Sequence, residues 1–363
     1  MSETPLLEYD PEEYPLELRM QPLPEPPPPF WRTPKGIGCI VVFAIAVVGA
    51  IVGGVVPSAV KKSKTGGGPG VAAVTWQSNG QHIRVYFQQD DGFVYEGAWD
   101  QGTGWSPNRA QLFQAKTGTP LAAVVFAPAQ VQIHIYYVDR SNVLQEYVYN
   151  NGWGKGATLP SPNLSPITSL TAITWNESMS QQTRVYYQRQ DNTLQEVVYS
   201  STNGWSPGQS LGNLAYPGTG LGAVATSYNN VSFHIYWQAN DLSLHEYIWS
   251  NTWSNNILQW SPVPASGISA VTWPDSSGNP FIRVYFENPA GTIQEVGYNG
   301  TSGWVLDPSA LTDNLVSLRA PISAALWVNG DDIEIRAYAK SNSSSTHTEF
   351  TYSGSWTSDN LSF

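Results

Sequence analysis

Six times along the chain a basic residue is followed at a fixed distance by a glutamate. Arg84 and Glu96, His134 and Glu146, Arg184 and Glu196, His234 and Glu246, and Arg283 and Glu295 stand twelve apart, and Arg336 and Glu349 thirteen apart. Three residues past each glutamate comes an aromatic residue: Trp99, Tyr149, Tyr199, Trp249, Tyr298 and Tyr352. A glycine-rich turn then ends in Trp105, Trp153, Trp205, Trp253, Trp304 and Trp356. An arginine offers a planar fork of donors and a carboxylate offers acceptors, so the pair can hold vicinal hydroxyls by charge-assisted hydrogen bonds. A flat aromatic face covers C–H surface and keeps a small-ligand site apolar. Together these groups suit a neutral sugar, with room for a methyl group. The plainer use of the pair is a cross-strand ion pair, contributing up to about 1 kcal/mol.

The elements that must position these residues repeat with them. The basic residue lies in IRVYF (83–87), IHIYY (133–137), TRVYY (183–187), FHIYW (233–237), IRVYF (282–286) and IRAYA (335–339), at spacings of 50, 50, 50, 49 and 53. Each run is preceded by an apolar strand, such as VAAVTW from Val71 or LTAITW from Leu170, and followed by a third strand carrying the glutamate. Trp76, Trp175, Trp273 and Trp327 close four of the first strands and read as core. Short strands with turn signals and no helix-period stretch, about 50 residues per unit, predict an all-β six-bladed β-propeller. A hairpin folded about Asp90 would set Arg84 directly opposite Glu96, with Cβ atoms about 5 Å apart. The same arithmetic applies to His134, Arg184, His234 and Arg283, with 342–345 absorbing the extra residue of the last unit.

With its twelve-residue spacing to Q-E or a related dipeptide and its closing GW, this repeat resembles the fungal fucose-specific lectins of the Aleuria aurantia type over residues 71–363. The resemblance implies a six-bladed propeller that binds L-fucose between blades. Arg and Glu of one blade would meet the hydroxyls, and aromatic residues of the next would meet the ring and methyl. Arg84 and Glu96 would then work with Tyr149 and Trp153, and Arg184 and Glu196 with Trp249 and Trp253. Arg283 and Glu295 would use Tyr352 and Trp356, while Arg336 and Glu349 would close the ring with Trp99 and Trp105. His134 and Glu146 would face Tyr199 and Trp205, and His234 and Glu246 would face Tyr298 and Trp304. A neutral imidazole has one donor and no fork, so these two pockets are expected to be weaker or degenerate.

Two other classes compete. Six-bladed propellers also carry sialidase-like glycosidases, but the SxDxGxTW box is absent, and a catalytic site needs a carboxylate pair of different environments around one bond. Here every carboxylate has a near-copy in each repeat, which favours multivalent binding without catalysis. A non-binding structural surface protein is the other alternative. No cofactor or metal site is expected, and one Cys in 363 residues excludes a disulfide framework. The balance of 17 basic against 28 acidic residues argues against a nucleic-acid partner.

The N-terminal part reads differently. Residues 1–36 form a proline-rich acidic tail, expected to be disordered. Residues 37–56 are twenty residues without a charge, the length of one transmembrane helix. Gly49 and Gly53 form a GxxxG pair that would allow a homodimer of such spans. Residues 57–70 read as a Lys/Gly-rich stalk. Asn-x-Ser/Thr sequons at Asn163, Asn176, Asn230, Asn299, Asn342 and Asn360 all follow the apolar segment. They favour a single-pass glycoprotein whose body, extracellular or luminal, meets fucosylated glycans.

Overall fold

The computed structural model describes residues 70–361 apart from 127–129, 178–179, 213, 229, 308–310, 312–315, 330–331 and 343–345. The tail, the apolar segment 37–56 and the stalk up to residue 69 lie outside the described residues. Among the described residues no helix is long and apolar enough to cross a membrane.

Alternation along each strand decides the packing. In the second strand of the first repeat, Gln81–Gln88, residues Ile83, Val85 and Phe87 go to one hydrophobic cluster and Tyr86 to another. A β-strand sends successive side chains to opposite faces, so each sheet has two apolar faces and must be covered on both. Six antiparallel sheets in a ring satisfy this requirement, and the architecture is a six-bladed β-propeller. Five blades are four-stranded meanders in chain order; in the first blade the outer strand is split into Gly104–Trp105 and Ala110–Gln114. The first strands line the axis, and Val71–Gln77 of blade 1 packs beside those of both blade 2 and blade 6. Small residues suit that crowded position. Ala73 N–H donates to Ser323 Oγ at 2.9 Å, joining the first and last blades, and Ala324 N–H donates likewise to Ser269 Oγ at 2.9 Å.

The hairpin register differs from the expectation by two residues. Arg84 stands opposite Ala98, and Glu96 stands opposite Tyr86. The offset recurs: Tyr136 opposes Glu146, Tyr186 Glu196, Tyr236 Glu246, Tyr285 Glu295 and Tyr338 Glu349. The cause lies in the turn. Gln89 N–H donates to Phe93 O at 3.0 Å, so the loop is 90–92 and is centred on Asp91 rather than Asp90. Its third residue is left-handed, with φ of 82° at Gly92, 61° at Asn142, 64° at Asn192, 70° at Leu242 and 79° at Gly291. A three-residue hairpin loop places its left-handed residue last and outside the ladder, whereas the expected pairing would have put Gly92 in a strand. In the last blade Ser341 N–H bonds Thr346 O, so the extra residue falls between them, where 343–345 lie outside the described residues.

Candidate functional site

The pleat turns the carboxylate and the aromatic residue of each third strand in opposite directions. Glu96 and Trp99 are three apart, so Glu96 shares a face with residues that meet blade 2 while Trp99 packs with Tyr338 of blade 6. Each junction therefore takes its polar groups from one blade and its aromatic pair from the next. The two aromatic residues are direct register partners in all six blades, as with Tyr149 and Trp153 or Trp249 and Trp253.

The tyrosine two residues after each basic residue was not singled out from the sequence, although it recurs in all six repeats and shares the basic residue's face. Tyr86, Tyr136, Tyr186, Tyr236, Tyr285 and Tyr338 are each 0% exposed. Hydroxyl donation to the facing glutamate is seen for Tyr86 (3.0 Å), Tyr186 (3.0 Å), Tyr236 (2.9 Å) and Tyr338 (2.9 Å). The tyrosine also receives the next blade's tryptophan edge-on. Ring centroids are 5.9 Å apart for Tyr86–Trp153, 5.6 Å for Tyr136–Trp205, 5.8 Å for Tyr236–Trp304, 5.9 Å for Tyr285–Trp356 and 6.3 Å for Tyr338–Trp105. At the remaining junction Tyr186 shares a cluster with Trp249 and Trp253. Burial, with the adjacent carboxylate, pushes all six phenols well above their ordinary pKa.

The glutamates sit on this tyrosine floor. Glu146, Glu196, Glu246 and Glu295 are buried, while Glu96 and Glu349 are half-buried. Burial raises the pKa of Glu96, partly offset by Tyr86 and Arg84. It also raises that of Glu349, partly offset by Trp105, Tyr338 and Arg336. In blades 2 and 3 the outer strand bulges beside the glutamate and supplies a backbone donor: Ala157 N–H to Glu146 at 3.0 Å and Gln209 N–H to Glu196 at 3.3 Å. The close approach requires glycine, since a Cβ on Gly156 or Gly208 would lie 2.5 Å from a glutamate oxygen.

Each arginine is diagonal to its glutamate, not opposite it as expected. Nε reaches the carboxylate at 3.1 Å for Arg283–Glu295, 3.5 Å for Arg184–Glu196 and 3.8 Å for Arg336–Glu349. Arg84 pairs instead with Asp100, Nη1 to Oδ1 at 3.0 Å, and Asp100 also meets His82 Nδ1 at 2.5 Å. In all four, Nη1 donates to the preceding residue's carbonyl, at 2.8 Å for Arg84, 3.0 Å for Arg184, 3.1 Å for Arg283 and 3.0 Å for Arg336. Within the described residues Nη2 of these arginines takes part in no hydrogen bond. It is the donor left for a ligand.

The two histidine blades are built differently. His134 Nδ1 lies 2.8 Å from Glu146 Oε1, and His234 Nδ1 lies 2.8 Å from Glu246 Oε1. The other oxygen of each carboxylate is bonded as well, by Ala157 N–H in blade 2 and by Asn256 Nδ2 at 3.2 Å in blade 4. The imidazole thus spends its short reach on the glutamate.

Trp76, Trp175, Trp273 and Trp327, expected as core, are half-buried. Each packs on a core cluster and carries a guanidinium over its ring, with Cζ to centroid distances of 5.1 Å (Arg84–Trp76), 4.9 Å (Arg184–Trp175), 5.1 Å (Arg283–Trp273) and 4.7 Å (Arg336–Trp327). The pairing of the first two strands explains this: Trp76 opposes His82, which is two residues from Arg84 on the same face.

Comparison with known proteins places this arrangement among related ones. The family profile described as fungal fucose-specific lectin matches residues 61–189 and 179–362. The fucose-specific lectin of Aleuria aurantia is 33% identical over 258 residues, 68% of this chain and 80% of that protein. The crystal structure of the six-bladed Aleuria aurantia lectin superposes with a TM-score of 0.66 at 27% identity, covering 80% of this chain and 94% of that one. A variant of that lectin in complex with alpha-methyl-L-fucoside superposes equally well, with a TM-score of 0.66 at 28% identity, again over 80% and 94%.

Proposed function

This chain belongs to the fungal fucose-specific lectin family, and we propose that it is a multivalent, non-enzymatic lectin binding L-fucose in the pockets between its blades. The observation that carries the reading is the arginine geometry. Nη2 is held free beside a carboxylate, and both face the aromatic pair of the next blade. Nη2 would donate to one sugar hydroxyl and the glutamate would accept from its neighbour, a pairing that favours vicinal hydroxyls. The indole and phenol faces would cover the C–H side and the methyl group. Arg184, Arg283 and Arg336 give three pockets of this kind, Arg84, held by Asp100, gives a fourth beside Glu96, and the His134 and His234 pockets are weaker or empty. Several pockets on one body raise avidity for fucosylated glycans well above the single-site affinity.

The second part of the proposal is a tether. Residues 37–56 would span a membrane as one helix and hold the body outside the cell or in a lumen, with 57–70 as a flexible stalk. A glycan array probed with the purified chain tests the first part: a fucose-dependent signal is expected, and its absence overturns the lectin reading. Alkaline carbonate extraction of native membranes tests the tether, which release into the supernatant would overturn.

A further inference from the structure

Arginine and tryptophan occur together in this propeller. The four blades with an arginine carry Trp76, Trp175, Trp273 or Trp327 near the end of the first strand. In the two histidine blades the same register position holds Phe126, opposite Gln132, and Thr226, opposite Ser232. Where the tryptophan is present the guanidinium lies over it at 4.7–5.1 Å, although their strand positions are only diagonal neighbours. The indole also continues the aromatic wall of the next blade. Trp175 packs on Phe233 at 4.7 Å, which stacks on Trp249 at 4.9 Å, and Trp327 lies 6.4 Å from Trp99.

We propose that this tryptophan is the positioning residue that makes a blade competent to bind sugar: it clamps the arginine so that Nη2 points into the pocket. The inference rests on the fucose-binding reading and deepens it. A long arginine side chain has many rotamers, and freezing them on binding weakens affinity. Three contacts hold it beforehand. Nη1 is on carbonyls, Nε faces the glutamate in blades 3, 5 and 6, and the flat face rests on the indole, where cation–π attraction is largest for tryptophan. Histidine is too short to use the clamp, and its blades have dispensed with it.

The test uses the full-length chain carrying Arg84→Ala, Arg283→Ala and Arg336→Ala, so that Arg184 serves the one remaining arginine pocket. Titration with methyl α-L-fucoside is followed by calorimetry, with thermal unfolding as the control for folding. Trp175→Leu should weaken binding about tenfold, and Trp175→Tyr, which keeps a π face, should restore most of it. In the same background His134→Arg with Phe126→Trp should add a second binding site, and His134→Arg alone should not. A folded Trp175→Leu chain binding as tightly as its parent overturns the clamp. So does equal weakening by leucine and tyrosine, or a new site from His134→Arg alone. A native chain that binds no fucoside overturns the proposed function itself, and with it the clamp as a ligand device; native binding with an indifferent Trp175 overturns the clamp alone.

Discussion

Trp105 Nε1 donates a hydrogen bond of 3.1 Å to Glu349 Oε2, across 244 residues of sequence. The bond joins the first blade to the last and at the same time fixes the carboxylate of one candidate pocket. Glu349 also accepts from Tyr338 at 2.9 Å, and Arg336 Nε lies 3.8 Å away. Ring closure and ligand chemistry therefore share one acceptor.

Trp105→Phe removes that donor while keeping an aromatic ring. Burial already raises the Glu349 pKa, and the indole N–H is one of the contacts that oppose the rise. The variant should raise it further. An acid whose folded pKa is raised favours the fold when protonated, and that contribution is lost as pH rises through the folded pKa. Binding has the opposite dependence, because the sugar needs the ionised acceptor: it is complete above the raised pKa and lost below it. In a chain keeping only the Arg336 pocket, the acid limb of a fucoside affinity–pH profile should move to higher pH in Trp105→Phe.

Tyr186→Phe deletes a fully buried hydroxyl that donates to Glu196 at 3.0 Å. The carboxylate keeps Gln209 N–H and Arg184 but loses its floor. Denaturant unfolding should show a loss of about 1–2 kcal/mol. Calorimetry should show weaker fucoside binding at that pocket, because Glu196 is free to turn away.

Gly297→Ala probes the closest arginine–glutamate approach. A Cβ there would lie 2.6 Å from Arg283 Nη1, so the guanidinium must shift. The residue opposite the arginine varies with the approach: 3.1 Å across from Gly297, 3.5 Å with Val198 and 3.8 Å with Thr351. The substitution should weaken the Arg283 pocket several-fold and change unfolding free energy by less than about 0.5 kcal/mol. Affinity measured in a chain keeping only Arg283 checks this.

His347→Leu addresses the seam between blades 6 and 1. Leu144, Leu194, Leu244 and Ile293 begin the third strand in four blades, Val94 is its second residue in blade 1, and each is 0% exposed; the last blade has His347, 6% exposed, with no partner on Nε2 among the described residues. Burial, with the nearby Lys340 charge, lowers its pKa to about 4. The unfolded chain then binds more protons between about pH 6.5 and 4, so stability falls as pH drops through that window. The loss is about 3 kcal/mol in full. Unfolding free energy in His347→Leu should lack this part of the acid slope.

The repeats made much of this legible. Period-two alternation around Arg84 and Tyr86 dictates which side chains share a face, and the recurrence of Glu96 and Trp105 at each blade marks the units. The hairpin register was misjudged because Asp90 and Asp91 are equally plausible turn centres by composition. The left-handed residue at the third loop position, Gly92 or Asn142, decides between them by steric demand. The clamp was missed because a tryptophan ending an apolar strand looks like core: its partner, Arg84, becomes visible only once the pairing of the first two strands sets His82 opposite Trp76.

By itself the sequence determined six repeated antiparallel units and which residue types each presents to its two sides. These follow from local pairing, in which hydrogen-bonded strands are joined by short turns. Tertiary structure decided which atoms meet across the junctions: Trp153 against Tyr86, Trp175 against Phe233, and Trp105 Nε1 on Glu349. Among the described residues no strand ladder joins adjacent sheets, which are separate four- or five-stranded units. Their partnership rests on apolar faces that must be covered and on a ring that must close.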